Sequence, residues 1–392
     1  MDTAVAPNVH TKVLIIGAGP YGIGVAQELW QRGTDFLITG DPFALWFEHT
    51  LSSMRLRSDR NASEIYSGDG RYALEHFFAS HPEAAGNGSA NGNGHRPQIP
   101  ELLEVDVYRQ YLRFVLTRLP FEVQRTRVTL LDRHEGGFRA ELADGREVTA
   151  RAVVVATGIG SHRYFPPVLR ELSPERVLHS WDTQQIEALR NRRVLVIGSG
   201  QSAAESVDAL LRGDNQVTWA MRHRPAFFGE PLRLPRPLFK LVLNISPAFY
   251  YLPQVVRLGL ARTFFRTTIT PNMRPAYDDP RVHKLYTDAE GLNLRETPQG
   301  ITSTAIPEPF NAIVSATGYR CTLAGLPFLS PQLRQQLGNP DQPPQLDLRF
   351  QSRVPNLFFT GGISEGVYGP AQRFIFGSWQ AVRQLGKATS GL

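Results

Sequence analysis

Two stretches constrain the fold of this chain more than anything else in it. They are "TKVLIIGAGPYGIGVAQEL" at residues 11–29 and "NRRVLVIGSGQSAAESVDALL" at residues 191–211. Each runs from an apolar strand through a glycine turn into a helix, and a second strand follows, "DFLIT" through Thr39 and "QVTWAM" from Gln216. A buried strand feeding a helix across a turn of small residues opens a βαβ unit, so the expectation is an α/β fold with two Rossmann-like dinucleotide-binding domains. In the first turn Gly17 permits the tight bend, Gly19 lets backbone approach a pyrophosphate, and Gly22 lets helix pack on strand. Gly198, Gly200 and Ala203 take these places in the second. The helix N-termini then present amide donors and a positive dipole end to phosphates, with Pro20 and Tyr21 opening the first helix and Gln201 and Ser202 the second. Ser202 has two roles open to it, a phosphate or ribose contact and a simple helix cap.

Nineteen residues past Gly22 stands Asp41, and nineteen past Ala203 stands Arg222. An acid there favours a ribose hydroxyl, whereas an arginine accommodates a 2′-phosphate. The first unit therefore suits an adenosine with a free ribose, with Gly40 as the alternative register, and the second suits NADPH. Arg222 and Arg224 can equally be solvated loop charges. Two dinucleotide sites imply that one cofactor delivers a hydride and the other receives it. Cys321 is the only cysteine, which excludes a CxxC redox pair and a cysteine metal site, so the receiver reads as a flavin and no metal is expected.

Residues 84–98, "AAGNGSANGNGHRPQ", read as a flexible surface insertion. "VDVYRQYLRFVLTRL" has helical spacing, and "RVTLLDRHEGGFRAELADGREVTARAVVVATG" reads as short antiparallel strands ending in a buried one. Residues 225–266 are aromatic, basic and broken by Pro235, Pro237, Pro247 and Pro253, which rules out a spanning helix. A lid over an apolar substrate, an interfacial patch and a dimer-burying insertion all fit this segment, with the lid favoured. The net charge of +6 comes almost wholly from arginine, a partner for planar anions, and no basic run points to nucleic acid. The first eleven residues hold no apolar run of the signal-peptide kind, so a cytoplasmic enzyme is expected. The oligomeric state stays open.

"GAGPYG", "AVVVATG" at 152–158, "GSGQSAAE" and "AIVSATGY" at 312–319 occur in this order over nearly the whole chain. The set resembles the two-dinucleotide-binding-domain flavoproteins and, within them, the class B flavin monooxygenases. "GSGQSAAE" and "ATGY" are most similar to the lysine and ornithine N-hydroxylases. The FxGxxxH motif of flavin-containing and Baeyer–Villiger enzymes is reduced to His179 and Ser180 in "LSPERVLHSWD". "GDPFALWFEHTLSSMRLRSDRNAS" and "LFFTGGISEGVYGPAQRFIFGSWQA" resemble a less characterised bacterial group.

The resemblance implies an FAD domain at 1–169 that resumes at 311–392, with an NADPH domain inserted at 170–310. It implies oxygen transfer from a flavin C4a-hydroperoxide to a nucleophilic atom of a small substrate, nitrogen first, in a role that fits natural-product biosynthesis. Sulfur or Baeyer–Villiger oxygenation and a reductase that never uses oxygen are the alternatives. FAD contacts carried over are Trp46, Arg57, Val128, Ala156, Thr157, Gly158, Gly361 and Gly362, the last two standing where relatives place a Gly-Asp pair. Ala316, Thr317, Gly318 and Tyr319 join the cofactor set, and Arg57, Ser58 and Gln201 are the catalytic candidates. Core packing fits Trp46 as well, and a structural salt bridge fits Arg57.

Overall fold

The computed structural model describes residues 9–58, 60–85, 102–223, 246–253, 255–257, 259 and 269–392. The first sheet holds β1 (Val9–Ile16), β2 (Phe36–Thr39), β3 (Val128–His134), β4 (Gly137–Leu142), β5 (Glu147–Val155) and β13 (Leu357–Phe359). Its order is β2-β1-β5-β4-β3, with β13 also pairing β5. β5 is long enough for two partners on one edge. Its first half pairs antiparallel with β4, and its last three residues pair parallel with β13. The expected helix and antiparallel strands are present, the helix as Val105–Leu116. Residues 86–98 of the expected surface insertion lie outside the described residues.

The second sheet is parallel throughout, in the order β6-β12-β7-β8-β9. Its strands are β6 (Val177–His179), β7 (Arg193–Ile197), β8 (Gln216–Ala220), β9 (Val282–Leu285) and β12 (Ala312–Ser315). A hairpin of β10 (Arg295–Thr297) and β11 (Gly300–Thr302) precedes β12. Burial on both faces explains the apolar run "RVLVI". Val194 and Val196 join one core cluster with Trp219, while Leu195 and Ile197 join the other with Ile313. β12 sits between β6 and β7 and so belongs to the second sheet, past the boundary expected at 310/311. The chain re-enters the first unit only after Ser315.

The first-turn helix Pro20–Gln31 is buried almost all round. The C-terminal helix Ser378–Ser390 lies against it at glycines. A Cβ on Gly24 would sit 2.7 Å from Val382 Cγ2, and one on Gly386 would sit 2.8 Å from Glu28 Cβ. The last residues of the chain thereby clamp the first dinucleotide unit.

Candidate functional site

At the first turn Gly17 has φ +111°, and a Cβ on it would lie 2.4 Å from the Ala156 carbonyl oxygen. A Cβ on Gly22 would lie 1.8 Å from the Gly17 carbonyl oxygen, whereas one on Gly19 would meet nothing within 4 Å. Two of the three glycines are therefore required by the protein, and the third faces open space. Gly40, with φ +123°, passes close to Ala18 N. Beside it the Asp41 carboxylate lies 3.6 Å from Arg127, the residue before Val128. Tyr21 donates its hydroxyl to the carbonyls of Gln372 and Phe374 at 2.9 and 3.1 Å, which hooks the C-terminal segment onto this turn. Gly361 lies against the Tyr21 ring, and a side chain on Gly362 would collide with Ile159 Cγ2 at 2.8 Å. That collision is a physical reason for the missing aspartate. Residues 17–22, Gly40, Asp41, Ala156, Thr157, Gly158, Gly361 and Gly362 thus gather at the carboxyl ends of β1, β2, β5 and β13, where open α/β sheets bind ligands.

The second turn repeats the first. Gly198 has φ +153°, and its Cβ would lie 2.4 Å from the Ala316 carbonyl oxygen. Ala316 N–H donates to Ile197 at 2.8 Å as Ala156 N–H does to Ile16. Each "ATG" is therefore the wall behind one glycine turn, and Gly158 and Gly318 leave it with φ +69° and +84°. Gly200 is the N-cap of the helix Gln201–Arg212, with no side-chain cap. Arg222 is exposed at the end of β8, where its N–H donates to Ser199 Oγ at 3.0 Å. Arg224 lies outside the described residues.

Sequence reading offered Gln201 to the cofactor, but its amide is occupied within the protein. Nε2 donates to Glu205 Oε1 and to Thr270 Oγ1, both at 2.9 Å, and Oε1 accepts from Thr270 N–H at 2.9 Å. The residue missed is Glu205, the last letter of "GSGQSAAE". Burial pushes its carboxyl up to about 7, against the opposing pull of the Gln201 hydrogen bond and the Arg57 charge. Burial also lowers the pKa of Arg57, and the negative charge of Glu205 works to raise it. Gln201 thus touches Glu205, and the charge of Arg57 acts on it.

Residues 48–57 of the first unit run along the second. Ser52 donates N–H and Oγ to Glu187 Oε1, both at 2.7 Å, and Ser53 Oγ donates to Asp208 Oδ2 at 3.2 Å. Leu51 is buried in the second unit's core, and His49 stacks on Trp181 with centroids 4.2 Å apart. Ser58 accepts from Ser63 Oγ through its carbonyl.

Residues 100–273 match the family model described as L-lysine 6-monooxygenase/L-ornithine 5-monooxygenase, and residues 14–160 match one described as FAD-NAD(P)-binding. The ornithine hydroxylase PvdA of Pseudomonas aeruginosa superposes with a TM-score of 0.76 at 18% identity, over 98% of this chain and 99% of that one. The chain shares the fold of that hydroxylase. In sequence, "Probable indole-3-pyruvate monooxygenase YUCCA1" of Arabidopsis thaliana is 28% identical over 49% of this chain and 42% of its own length. The ferredoxin–NADP reductase of Thermus thermophilus is 24% identical over 56% of this chain and 55% of its own. The chain spans about half the length of these curated relatives.

Within this fold His179 is structural. It is fully buried, and burial lowers its pKa to about 4. Its Nδ1 accepts from Trp181 N–H, so the neutral ring donates from Nε2 to the Gly318 carbonyl at 3.1 Å and holds the second "ATG" turn. Tyr319 packs edge-on against both His179 and Trp181. Of the 225–266 segment, the turn Ser246–Tyr251 and residues near it are described. A Cβ on Gly369 would lie 3.0 Å from Phe249, the Tyr250 and Tyr368 rings are 6.0 Å apart, and Arg257 Nη1 donates to the Val367 carbonyl at 3.2 Å. The insertion therefore reaches from the second unit to the C-terminal part of the first; the rest of it lies outside the described residues. No helix among the described residues is long and apolar enough to cross a membrane.

Proposed function

We propose that this chain is an FAD- and NADPH-dependent monooxygenase that passes one oxygen atom of O2 to a nucleophilic atom, nitrogen first, of a small or apolar substrate. The observation that carries the reading is the glycine turn built twice, each copy backed by an alanine carbonyl at the same 2.4 Å approach. The first unit fits a flavin dinucleotide on two counts. Gly19 is the one turn glycine there whose missing side chain no protein atom replaces. Trp46 Nε1 and Thr360 Oγ1 are buried without a hydrogen-bond partner, after β2 and directly after β13, as atoms meant for a polar ligand would be.

When bound, FAD supplies the two-electron store that NADPH fills and O2 empties. The chain's own residues bind, orient and exclude water. The N-terminus of Pro20–Gln31 offers backbone amides to one pyrophosphate, and that of Gln201–Arg212 offers them to the other. Asp41 suits a ribose hydroxyl and Arg222 a 2′-phosphate. Arg57 brings positive charge toward the junction of the two units, and the described part of the insertion supports a cover that keeps the junction dry. Cys321 is the only cysteine, so a dithiol relay has no second partner.

The family-model match over residues 100–273 supports nitrogen as the acceptor. The likeness to ferredoxin–NADP reductase favours a second reading, electron transfer without oxygenation. One assay separates them: NADPH oxidation by the purified yellow protein, with peroxide release followed against amines, thioethers and ketones. An amine that accelerates NADPH oxidation without matching peroxide supports N-oxygenation. Oxidation that needs only an electron acceptor, and ignores oxygen and every candidate substrate, supports the reductase.

A further inference from the structure

We propose that residues 48–53 are a latch that holds the two units at one angle through turnover, so that hydride passes from one dinucleotide crevice to the other without either unit turning. The inference rests on the two-cofactor reading above.

The chain leaves the first unit after Gly158 and returns to it after Ser315, and these two crossings lie side by side. Arg163 and Tyr319 are antiparallel partners. Tyr164 N–H donates to the Gly318 carbonyl at 3.0 Å, and Arg320 N–H donates to the His162 carbonyl at 2.8 Å. A ribbon of two short strands is a hinge, because a few backbone dihedral changes along one line swing whatever hangs on either end. By itself this ribbon would let the second unit turn.

Residues 48–53 attach elsewhere. They belong to the first unit, yet they engage the helices Thr183–Ala188 and Gln201–Arg212 of the second. Thr183 Oγ1 donates to the Glu48 carbonyl at 3.2 Å, Ser52 donates to Glu187 and Ser53 to Asp208. Between these bonds Leu51, 4% exposed, is buried in the cluster that holds Ile186 and Val207. Such a plug supplies the energy, since its apolar area leaves water, and the bonds on either side of it set the register. His49 ties the latch to the hinge. It stacks on Trp181 and donates from Nδ1 to the Trp181 carbonyl at 3.1 Å. The same indole lies so close to the ribbon that a Cβ on Gly160 would be 2.6 Å from its Cζ2, and Tyr319 packs edge-on against it. Turning about the ribbon would have to draw Leu51 out of the second core.

Hydride transfer tolerates little error of position, and a displacement of about 1 Å can cost about a hundredfold in rate. A ribbon free to swing would lose that alignment, whereas a second attachment away from it keeps the alignment. His49, Leu51 and Ser53 are therefore positioning residues. They act through the angle between the units.

The test measures the angle and the rate together. Spin labels on Lys387→Cys in the first unit and His283→Cys in the second, both exposed positions, report the distance between the units by pulsed electron resonance. Cys321→Ser removes the native thiol. With the latch intact, the FAD-loaded protein should give one narrow distance, unchanged when NADPH reduces it and when NADP+ binds. Two latch variants are compared with it: Leu51→Ala, which empties the plug, and His49→Ala combined with Ser53→Ala, which leaves the core filled. Both should broaden the distance and slow anaerobic flavin reduction by NADPH by about tenfold or more, with the NADP+ dissociation constant held within about twofold. Only Leu51→Ala should lower the thermal midpoint appreciably, because it alone opens a cavity. A purely structural latch would move the midpoint and not the rate. The inference is overturned by a distance that shifts on reduction in the protein with the latch intact. It is equally overturned by a His49→Ala/Ser53→Ala protein that keeps the unaltered rate, which leaves the angle to the ribbon and the insertion. If NADPH fails to reduce even the protein with the latch intact, the two-cofactor reading falls and the inference with it.

Discussion

The sharpest expectation concerns two glycines three residues apart. Gly19→Ala should cost the flavin and barely touch the fold's stability, whereas Gly22→Ala should destabilise the fold. At Gly19 the backbone is φ −79°, ψ −172°, an extended N-cap conformation that alanine adopts, and the new methyl group meets no protein atom within 4 Å. The loss is that of an N-cap glycine replaced by alanine, at most about 1 kcal/mol. At Gly22 the methyl carbon would lie 1.8 Å from a backbone oxygen, where ordinary contact begins near 3.4 Å. The helix must retreat by about 1.6 Å, the difference between those distances, and the helix Ser378–Ser390 stands behind it. Overpacking of that kind costs about 3 kcal/mol or more. At roughly 2 °C per kcal/mol for a unit of this size, the flavin-free proteins should melt lower by under about 2 °C and by about 6 °C or more, respectively. The assay pairs the thermal midpoint of flavin-free protein with the ratio of flavin to protein absorbance after purification. The reasoning is refuted if Gly19→Ala retains full flavin, or if its midpoint falls as far as that of Gly22→Ala.

Arg222→Ala should raise the NADPH Michaelis constant by about tenfold or more, the worth of a charge-assisted bond to phosphate, and leave that for NADH unchanged; equal changes for both would remove Arg222 from the 2′-phosphate. Because burial lowers the His179 pKa from 6.5 to about 4, its contribution is fully present above pH 6.5 and is lost as pH falls through 4. That is worth up to about 3 kcal/mol, so His179→Gln should show a shallower fall in unfolding free energy across this window, and equal slopes for the two proteins would count against a neutral buried ring.

What could be read from sequence was local. A strand, a turn and a helix lie within about twenty residues, and the glycine spacing follows from contacts inside that span, so both units were legible. The role of each "ATG" as a wall behind its glycine turn was not, because Ala156 reaches Gly17 and Ala316 reaches Gly198 only through strand pairing. The same reason hid the true place of β12, whose partners β6 and β7 lie more than a hundred residues earlier. Glu205 was in plain view inside a quoted motif. Its burial, its bond from Gln201 and the influence of Arg57, nearly a hundred and fifty residues away, arise only in the folded chain, and no period or propensity carries them. Gln201 shows the converse: a residue placed correctly at the helix start whose amide is turned inward to Thr270 by a contact across 69 residues.

The clamp of Ser378–Ser390 on Pro20–Gln31 also imposes an order of events on the chain as it is made. The helix Pro20–Gln31 leaves the ribosome long before the helix Ser378–Ser390 that covers it. β13, which completes the carboxyl edge of β5, and the Tyr21 acceptors at Gln372 and Phe374 arrive scarcely earlier. The second sheet waits only for β12, so the inserted unit closes first although its synthesis starts later. The nascent chain therefore carries the first unit half-built until the helix Ser378–Ser390 has been made. Loss of the helix Ser378–Ser390 would strike the first cofactor crevice and spare the second.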